Sequence, residues 1–503
     1  MYGSGVESPK VPFSSVDYTV IAPGSYFIGF DMDNAGKLSK MDNTGTITVI
    51  ESDNLIGVID VGAGLGSTYR ISNCNTASGN YSTVSGGFCN IGYGNYSVVT
   101  GGAFNEVYDC TSVIGGGTCN VTSSSYYGGN TTSGGYGNVI SSASSSVIAG
   151  GALNSISCAG SVIGGGRSNS ASGYSSTIGG GYVNTASDNF ATVGGGRNNT
   201  ASAYYATVSG GHVNTASDNF ATVGGGSNNT ASGFESTVSG GYGNMASGYS
   251  STVGGGRSNS ASNNYATVSG GCTNTASGYY STLGGGGGNT ASGYYATVGG
   301  GYLNNAVGFI GSTVAGGTVN TSSGYNATVS GGYTNLASGN LSTVGGGSGN
   351  TASGDFSTVG GGLANCIYGC SDASSILGGS TNIVAGATCS MVAGGNNNAI
   401  FSNYTSIVGG TNNKIQVDSP GSAILGGNTN TVSSYSTYSV ILSGQNNDTC
   451  GVASVYILGD NICADRNCTT FVNNLSIKNI PISPIGLPSG SVWVDGLVLK
   501  LVP

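Results

Sequence analysis

Charged residues and proline are scarce in this chain of 503 residues. Only 6% of the residues are charged, with 11 Lys and Arg against 20 Asp and Glu, for a formal net charge of −9. Phosphate contacts need clustered Lys and Arg, and the few here are scattered, so the sequence predicts no nucleic-acid partner. None of the 8 prolines lies between Pro23 and Pro420. Because proline cannot donate to a strand ladder, this long interval favours continuous β-structure.

Histidine and long apolar runs are also scarce. The single histidine, His212, leaves little basis for a Ser-His-Asp triad, so we expect no enzyme activity. Glycine runs such as VGGGRSN lack the Lys-Ser/Thr of a phosphate loop, and Asp is missing from nearly all turns where calcium-binding repeats carry it. We therefore expect no metal and no other cofactor. No apolar run approaches the ~18–20 residues of a membrane span, and the N-terminus lacks signal-peptide features, so no membrane insertion is expected.

Glycine is abundant, with 96 residues, and it lies in a repeat. The unit reads T-V-G-G-G-x-x-N-T-A-S-G-Y-Y-A, numbered here from its Thr as positions 1 to 15, and residues 192–206 are one copy. A fixed period this short is typical of a solenoid in which each repeat forms one coil. Position 8 is occupied by Asn along most of the chain, and the predicted ladder members are Asn184, Asn199, Asn214, Asn229, Asn244, Asn259, Asn274 and Asn289.

Positions 2, 10 and 15 predict the interior of each coil. Position 2 is aliphatic, position 10 is usually Ala, and position 15 is Ala or Ser; the position 2 residues include Val193, Val208, Val223 and Val238. Side chains alternate along a strand, so positions 15 and 2 face the same side and position 10 supplies the opposite wall. Glycines of the GGG and SG segments are expected at bends, and the Asn side chains are expected to hydrogen-bond between coils. The sequence thus predicts an all-β, parallel β-solenoid of 15-residue coils.

Such a narrow interior predicts self-association. An Ala and Val interior buries little apolar surface per residue, so a single column of coils is expected to be marginally stable. The simplest remedy is a homotrimer, with three chains packed around a common axis.

Two cysteines lie one repeat period apart. Stacked coils would place the Cα atoms of Cys74 and Cys89 about 4.8 Å apart, which permits a disulfide. The alternative is that these and other cysteines are buried free thiols that fill small core positions. The sequence leaves both possibilities open.

Aromatic residues recur at positions 13 and 14 of the repeat, in a chain with 30 Tyr and 12 Phe. In one interpretation the rings pack between chains or cover the roll. In the other they form a binding surface for glycans or host protein, because flat amphipathic rings provide contact area at low entropy cost. The candidate surface residues are Tyr204, Tyr205, Phe220, Phe234, Tyr265, Tyr280 and Tyr295.

The stretch YSSTVGGGRSNSASNNYATVSGG resembles the head repeats of the trimeric autotransporter adhesins, the YadA-like heads, whose unit is approximately S-V-A-I-G-x-x-A-x-A-x-G. The resemblance covers roughly residues 71–465 and implies a left-handed parallel β-roll, three chains per fibre and binding to host surfaces. Thr and Gly replace several aliphatic residues of the family pattern. The sequence also departs from that family in showing no heptad stalk.

The C-terminal stretch NLSIKNIPISPIGLPSGSVWVDGLVLKLVP resembles the closing motif of many bacteriophage and large-virus fibre or structural proteins. The matching residues include Pro488, Trp493, Asp495, Gly496 and Lys500. This resemblance implies a place on a virion, with one terminus bound to other virion proteins.

Together these features predict three regions and one principal function. Residues 1–70 are expected to be a β-rich attachment or capping module, residues 71–465 the solenoid, and residues 466–503 a C-terminal cap or trimerisation motif. We expect a structural fibre or adhesin on a virion surface that binds a host glycan or protein receptor. The alternatives are a bacterial cell-surface adhesin head and an ice-binding solenoid. Ice-binding solenoids display files of Thr, as at position 1 here, although position 3 is Gly or Ser rather than a second Thr.

Overall fold

A computed structural model describes residues 26–31, 37–42, 47–49, 59–70, 74–124, 128–473, 480–489, 491–495 and 498–501. These residues form an all-β parallel β-solenoid of about 26 turns at a spacing of about 15 residues, and no helix occurs among them. The predicted all-β parallel solenoid is confirmed. In the same residues no helix is long and apolar enough to cross a bilayer. The chain divides into two compact units, Met1–Tyr242 and Gly243–Pro503.

Each coil contributes one short strand to each of two parallel sheets. The valine sheet takes positions 1 and 2 of the repeat, and the alanine sheet takes positions 9 and 10. In unit 1 the parallel strands of the valine sheet are Thr68–Arg70, Thr83–Val84, Val98–Val99, Val113–Ile114, Thr131–Thr132, Val147–Ile148, Val162–Ile163, Thr177–Ile178, Thr192–Val193, Thr207–Val208, Thr222–Val223 and Thr237–Val238. Those of its alanine sheet are Thr76–Ala77, Ile91–Gly92, Glu106–Val107, Val121–Ser123, Val139–Ser141, Ser155–Ile156, Ser170–Ala171, Thr185–Ala186, Thr200–Ala201, Thr215–Ala216 and Thr230–Ala231.

Unit 2 has the same two-sheet construction. Its valine sheet contains Thr252–Val253, Thr267–Val268, Thr282–Leu283, Thr297–Val298, Thr313–Val314, Thr328–Val329, Thr343–Val344, Thr358–Val359, Ser375–Ile376, Met391–Val392, Ser406–Ile407, Ala423–Ile424, Val440–Ser443, Tyr456–Leu458 and Thr470–Val472. Its alanine sheet contains Met245–Ala246, Ser260–Ala261, Thr275–Ala276, Thr290–Ala291, Asn305–Ala306, Thr321–Ser322, Leu336–Ala337, Thr351–Ala352, Cys366–Ile367, Ile383–Val384, Ala399–Ile400, Lys414–Ile415 and Thr431–Val432.

Antiparallel pairing occurs only toward the two ends of the described chain. Tyr26–Asp31 pairs with Lys37–Asp42, which also pairs with Ile47–Val49. Ile59–Val61 pairs antiparallel with Thr68–Arg70, and the latter strand pairs parallel with Thr83–Val84. A two-stranded antiparallel hairpin forms from Val492–Asp495 and Val498–Leu501.

The coils stack in register, so equivalent residues lie directly above one another. Val193 pairs with Val208, and Ala201 pairs with Ala216. Val193, Ala201 and Ala206 are each 0% exposed, which places positions 2, 10 and 15 in the interior. The position 1 threonines between them are half-buried and form an outward file. This alternation within two-residue strands gives each coil its inner and outer faces.

The size of the interior changes along the chain. In the regular coils position 10 is Ala, whereas toward the end of unit 2 it becomes Ile367, Val384, Ile400, Ile415 and Val432, all 0% exposed. Facing position 2 residues in the same region are Ile or Val. These coils therefore bury more aliphatic surface than the Ala and Val coils in the middle of the sequence.

The two bends of each coil differ in what they demand from the backbone. At position 5, Gly211 has a φ of +93°, and a Cβ there would overlap the carbonyl oxygen of Gly226 in the next coil. Glycine is needed at this position for both reasons. At the other bend, the positive φ falls on position 14, as at Tyr205 with 53° and Phe220 with 59°, rather than on the glycine of the SG segment.

Candidate functional site

The position 8 asparagines form a buried hydrogen-bonded ladder. The Asn199 side-chain amide donates to the carbonyl oxygens of Gly195 and Gly211, both at 2.8 Å, and its Oδ1 accepts the Asn214 backbone N–H at 3.0 Å. The predicted members Asn184, Asn199, Asn214, Asn229, Asn244, Asn259, Asn274 and Asn289 are all 0–1% exposed, and Val193, Val208, Val223 and Val238 are 0% exposed. The ladder joins side chains mainly to backbone groups of the bends, so it fixes the stacking of one coil on the next.

The ladder has members that the regular period does not reveal. The backbone N–H of Asn138 donates to Oδ1 of Asn120 at 3.0 Å across a separation of 18 residues. Sequence reasoning missed Asn138 because the coil between them carries three more residues than the usual 15. A search for Asn preceded by Gly-Gly-x-x would have found it, since the bend sequence GGYGN is kept.

The interior is polar where this enlarged coil in unit 1 stacks on the coil before it. Asp109 is 3% exposed, and its Oδ2 accepts from the Ser112 hydroxyl at 2.8 Å and from the Asn130 amide. Its Oδ1 and the fully buried hydroxyls of Thr122 and Thr132 have no hydrogen-bond partner in the structure. Neighbouring coils carry aliphatic residues where Thr132 stands, so this is a local departure from the apolar interior that costs stability.

Outward aromatic rings form one group in unit 1. The position 14 rings stack in parallel along the coils, with centroids 4.6 Å apart for Phe190 and Tyr205 and 5.6 Å apart for Tyr205 and Phe220. Tyr204 meets Tyr205 edge to face at 4.5 Å, and Phe234 lies 5.7 Å from Phe220. We call these five residues the unit 1 aromatic cluster.

Unit 2 carries a second group, built almost entirely from Tyr. At position 14, Tyr265, Tyr280 and Tyr295 stack with centroid separations of 4.7 and 5.2 Å. At position 13, Tyr279 and Tyr294 stack at 5.1 Å, and each meets its position 14 neighbour edge to face. We call these five residues the unit 2 aromatic cluster.

The stacking decides which part of each ring meets solvent. Tyr280 is 38% exposed although it stacks between Tyr265 and Tyr295, and Tyr295 is 50% exposed although it stacks against Tyr280. Parallel stacking turns ring faces toward the adjacent coils, so edges and phenol hydroxyls make up much of the outer surface. The binding surface for glycans or host protein stays a prediction, with ring edges and hydroxyls as its contact groups inside a stack. The stacking contacts support the interpretation that the rings cover the roll.

Contacts within the clusters raise the pKa of some of the phenols. Partial desolvation, followed by a hydrogen bond with Tyr205, raises the pKa of Tyr204. A hydrogen bond with Tyr295 is the main reason that the pKa of Tyr294 is raised. Both hydroxyls are thus neutral donors and acceptors at physiological pH.

Position 13 is Asn in some coils and aromatic in others, and the Asn has a structural role that sequence reasoning missed. Oδ1 of Asn189 accepts the Tyr174 backbone N–H at 3.0 Å, and Oδ1 of Asn219 accepts that of Tyr204 at 3.2 Å. The same contact in unit 2 joins Asn264 to the Tyr249 N–H at 3.1 Å. These amides satisfy backbone donors at the bend, where the ladders of the two sheets do not reach.

The cysteines are arranged on the outside of the coils. Cys74 and Cys89 form a disulfide with Cα atoms 4.3 Å apart, at position 7 of adjacent coils. A second disulfide, between Cys450 and Cys463, was not expected. The eight free cysteines are exposed or half-buried, so the alternative of buried thiols filling core positions is wrong.

The structure describes only part of the C-terminal motif, through its backbone pairing. Trp493 pairs with Lys500, and Asp495 pairs with Val498, across an antiparallel hairpin. The Pro488 carbonyl oxygen accepts the Ser491 N–H at 3.1 Å just before that hairpin. Gly496 lies outside the described residues.

Groups that could carry other chemistry are dispersed. His212 lies at position 6 on the outside of a bend, with its Nδ1 at 3.5 Å from the Ser227 hydroxyl. Among the described residues no three His, Cys, Asp or Glu side chains are grouped so that they could hold a metal ion. The sequence matches no protein-family model, and no curated protein matches it.

Proposed function

We propose that this chain is a structural fibre or adhesin of a virion surface, which attaches the particle to a host-cell receptor. The observation that carries the proposal is the strict register of the outward side chains, such as Thr192 over Thr207 and Tyr265 against Tyr280. A surface repeated at each coil presents one weak contact many times, and multivalency then raises the overall affinity. The resemblances to YadA-like heads and to viral fibre proteins support the same function.

The proposal includes the finer architecture of the fibre. We take the solenoid as a left-handed roll and the fibre as three chains around a common axis. The Ala and Val interior of the regular coils supports self-association, because each coil alone buries little apolar surface. Other virion proteins would hold one terminus, and the hairpin that contains Trp493 and Lys500 is one candidate for that attachment.

The receptor-binding surface proposed here is the unit 2 aromatic cluster. Its exposed edges and neutral hydroxyls suit hydrogen bonding to a glycan or to a polar protein surface, with ring edges adding apolar contact. Because the pKa values of Tyr280 and Tyr294 are raised, the hydrogen bonds of these two hydroxyls are expected to change little with pH in the physiological range.

A binding experiment with host cells or immobilised glycans tests this surface. The variant Tyr280→Ser with Tyr295→Ser should lower binding at least tenfold, whereas Tyr302→Ser with Tyr333→Ser should leave it unchanged. The two control residues are each 55% exposed in the same unit but stand at position 6, outside the cluster. Equal binding by both double variants would contradict the assignment of the surface.

Location separates the viral function from the bacterial alternative. Immunogold labelling in electron micrographs should place the protein on virus particles. Labelling of bacterial cell surfaces would favour the adhesin-head alternative and contradict the virion proposal.

Ice binding is kept as a second candidate because both sheets present Thr in register. Thr192 pairs with Thr207 in the valine sheet, and Thr200 pairs with Thr215 in the alanine sheet. Such files repeat at about 4.8 Å, the strand spacing of a sheet. Thermal hysteresis of the purified protein measures this activity directly, and its absence would exclude the candidate.

A further inference from the structure

The outward face of the valine sheet changes its chemistry within unit 2. Position 3 follows the strand and points outward, and it is small through most of the unit: Gly254, Ser269, Gly284, Gly299, Ala315, Ser330, Gly345 and Gly360. In the next six coils it becomes Leu377, Ala393, Val408, Leu425, Leu442 and Leu458. We call these six residues the leucine stripe.

The backbone ladder makes the stripe continuous. The Leu377 N–H donates to the Val392 carbonyl at 3.0 Å, and the Leu425 N–H donates to the Ile441 carbonyl at 2.9 Å, so successive members lie above one another. A bulge between Ile441 and Ser443 shifts the last member, Leu458, by one residue. The spacing along the stripe is about 4.8 Å per coil, which brings neighbouring aliphatic side chains into contact range.

These side chains do not serve the interior of their own coils. The interior is already filled by position 2, where Ile376, Ile407 and Ile424 are 0% exposed. The exposed fractions of the five large stripe residues run from 38% at Leu442 to 55% at Leu377. Together they expose roughly 300–400 Å² of aliphatic surface, which is in the range of the largest apolar patch on a soluble monomer, a patch that is often functional.

Charge is missing from the stripe and from its nearest outward file. Position 1 of the same six coils is Ser375, Met391, Ser406, Ala423, Val440 and Tyr456. The chain has a net charge of −9, so a contact between copies is favoured where it brings no like charges together. An uncharged aliphatic row on a sheet face fits that requirement.

We propose that the leucine stripe is the surface through which copies of this chain pack against one another around the common axis of the fibre. The inference rests on the self-association included in the proposed function and adds where the copies meet. A second copy carries the same row of side chains at the same coil spacing, so the rows match coil by coil over the five coils from Leu377 to Leu442. A partner of another fold would lack that matched period.

The area supports the same occupant. A stable interface buries about 800 Å² per partner, with an apolar core and a polar rim. The stripe supplies roughly half of that as core, and the flanking Ser, Thr and Gly of the sheet face supply a rim small enough for close approach. Two sheets packed face to face in this way lie about 10 Å apart.

Sedimentation velocity of the full chain over a range of concentrations tests the inference. The double variant Leu425→Ser and Leu442→Ser should raise the apparent dissociation constant at least 100-fold. The control double variant Leu341→Ser and Leu363→Ser removes aliphatic residues that are 45% and 54% exposed in the same unit but lie outside the stripe, and it should assemble like the wild type.

Each outcome has a separate meaning. If the wild type and both double variants assemble equally, the stripe is not the contact surface, although self-association stands. If the control variant dissociates as readily as the stripe variant, the assignment of the contact surface to the leucine stripe is also wrong. A wild-type chain that stays monomeric at every concentration overturns both this inference and the proposed assembly. Circular dichroism shows whether each variant folds. If the double variant does not fold, the nearly isosteric Val408→Thr tests the same surface, and it should weaken assembly measurably but less than the double variant would.

Discussion

Replacing one ladder asparagine, Asn199→Ala, tests how the coils are held together. The substitution removes the amide that donates to Gly195 and Gly211 and the oxygen that accepts from Asn214. The Gly211 carbonyl keeps a donor, because it also accepts the Arg197 N–H at 2.8 Å. The buried Asn214 N–H loses the acceptor that the structure gives it, and the half-buried Gly195 carbonyl loses its amide donor.

These two losses set the expected magnitude. A buried donor left without a partner costs about 1–3 kcal/mol, and a half-buried carbonyl that water can reach costs less. With the small cavity left by the side chain, we expect a local destabilisation of about 2–4 kcal/mol. At 1.4 kcal/mol per factor of ten, this corresponds to a roughly 30- to 700-fold larger equilibrium constant for opening of the affected coils.

Hydrogen–deuterium exchange of the full chain measures this effect coil by coil. Repeat arrays open locally, so the protection of peptides within residues 184–229 is more informative than one global midpoint. The matched control is Asn198→Gly, at the adjacent residue, whose φ of 55° suits glycine. A change below tenfold for Asn199→Ala, or one equal to the control, would refute the role assigned to the ladder.

Three more changes probe the bend, the polar interior and the aromatic surface. Gly211→Ala should lower the thermal midpoint by several degrees, because residue 211 has a φ of +93° and the added Cβ would overlap the Gly226 carbonyl. The control Gly210→Ala should have little effect, because the atom nearest to its added Cβ, the Gly195 carbonyl oxygen, is 3.9 Å away. Thr132→Val should raise the free energy of unfolding by about 1 kcal/mol in urea titrations, since it removes a buried hydroxyl without a partner, and a decrease would contradict this. The pKa of Tyr294 is raised, so the contribution of this group to stability is complete below the pKa of an unfolded tyrosine and is lost as the pH rises through the raised value. In an alkaline titration followed by phenolate absorbance, the Tyr294→Phe variant should therefore have fewer tyrosines that ionise at the highest pH than the wild type.

The regular part of the fold could be predicted from the sequence because one short unit fixes three things at once. Val at position 2 and Ala at position 10 define two inner walls, and Asn at position 8 marks the bend between them. Because the unit repeats, each coil supports the same assignment of repeat positions to the interior and to the bend. The period therefore located Val193 and Asn199 correctly in the interior without any knowledge of the chain path.

Features that depend on orientation or on irregular spacing could not be predicted. The aromatic pattern at Tyr280 gives no sign that its ring face lies against the next ring, since this follows from a positive φ that the residue type does not favour. The disulfide between Cys450 and Cys463 joins residues 13 apart, a separation unlike the regular period. Asn138 was missed for the same reason, because its coil is longer than the others.

The unequal coil lengths also help the chain to avoid out-of-register pairing of its coils while it folds. Among identical coils, such as those from Thr177 to Val238, a strand that pairs one coil too early keeps nearly all of its contacts. The coil before Asn138 spans 18 residues, and the step from Asn413 to Asn430 spans 17, so a slipped chain would set extra residues against a regular neighbour. The irregular coils thus fix the register of the solenoid, because the correct pairing of coils is lower in free energy than a pairing shifted by one coil.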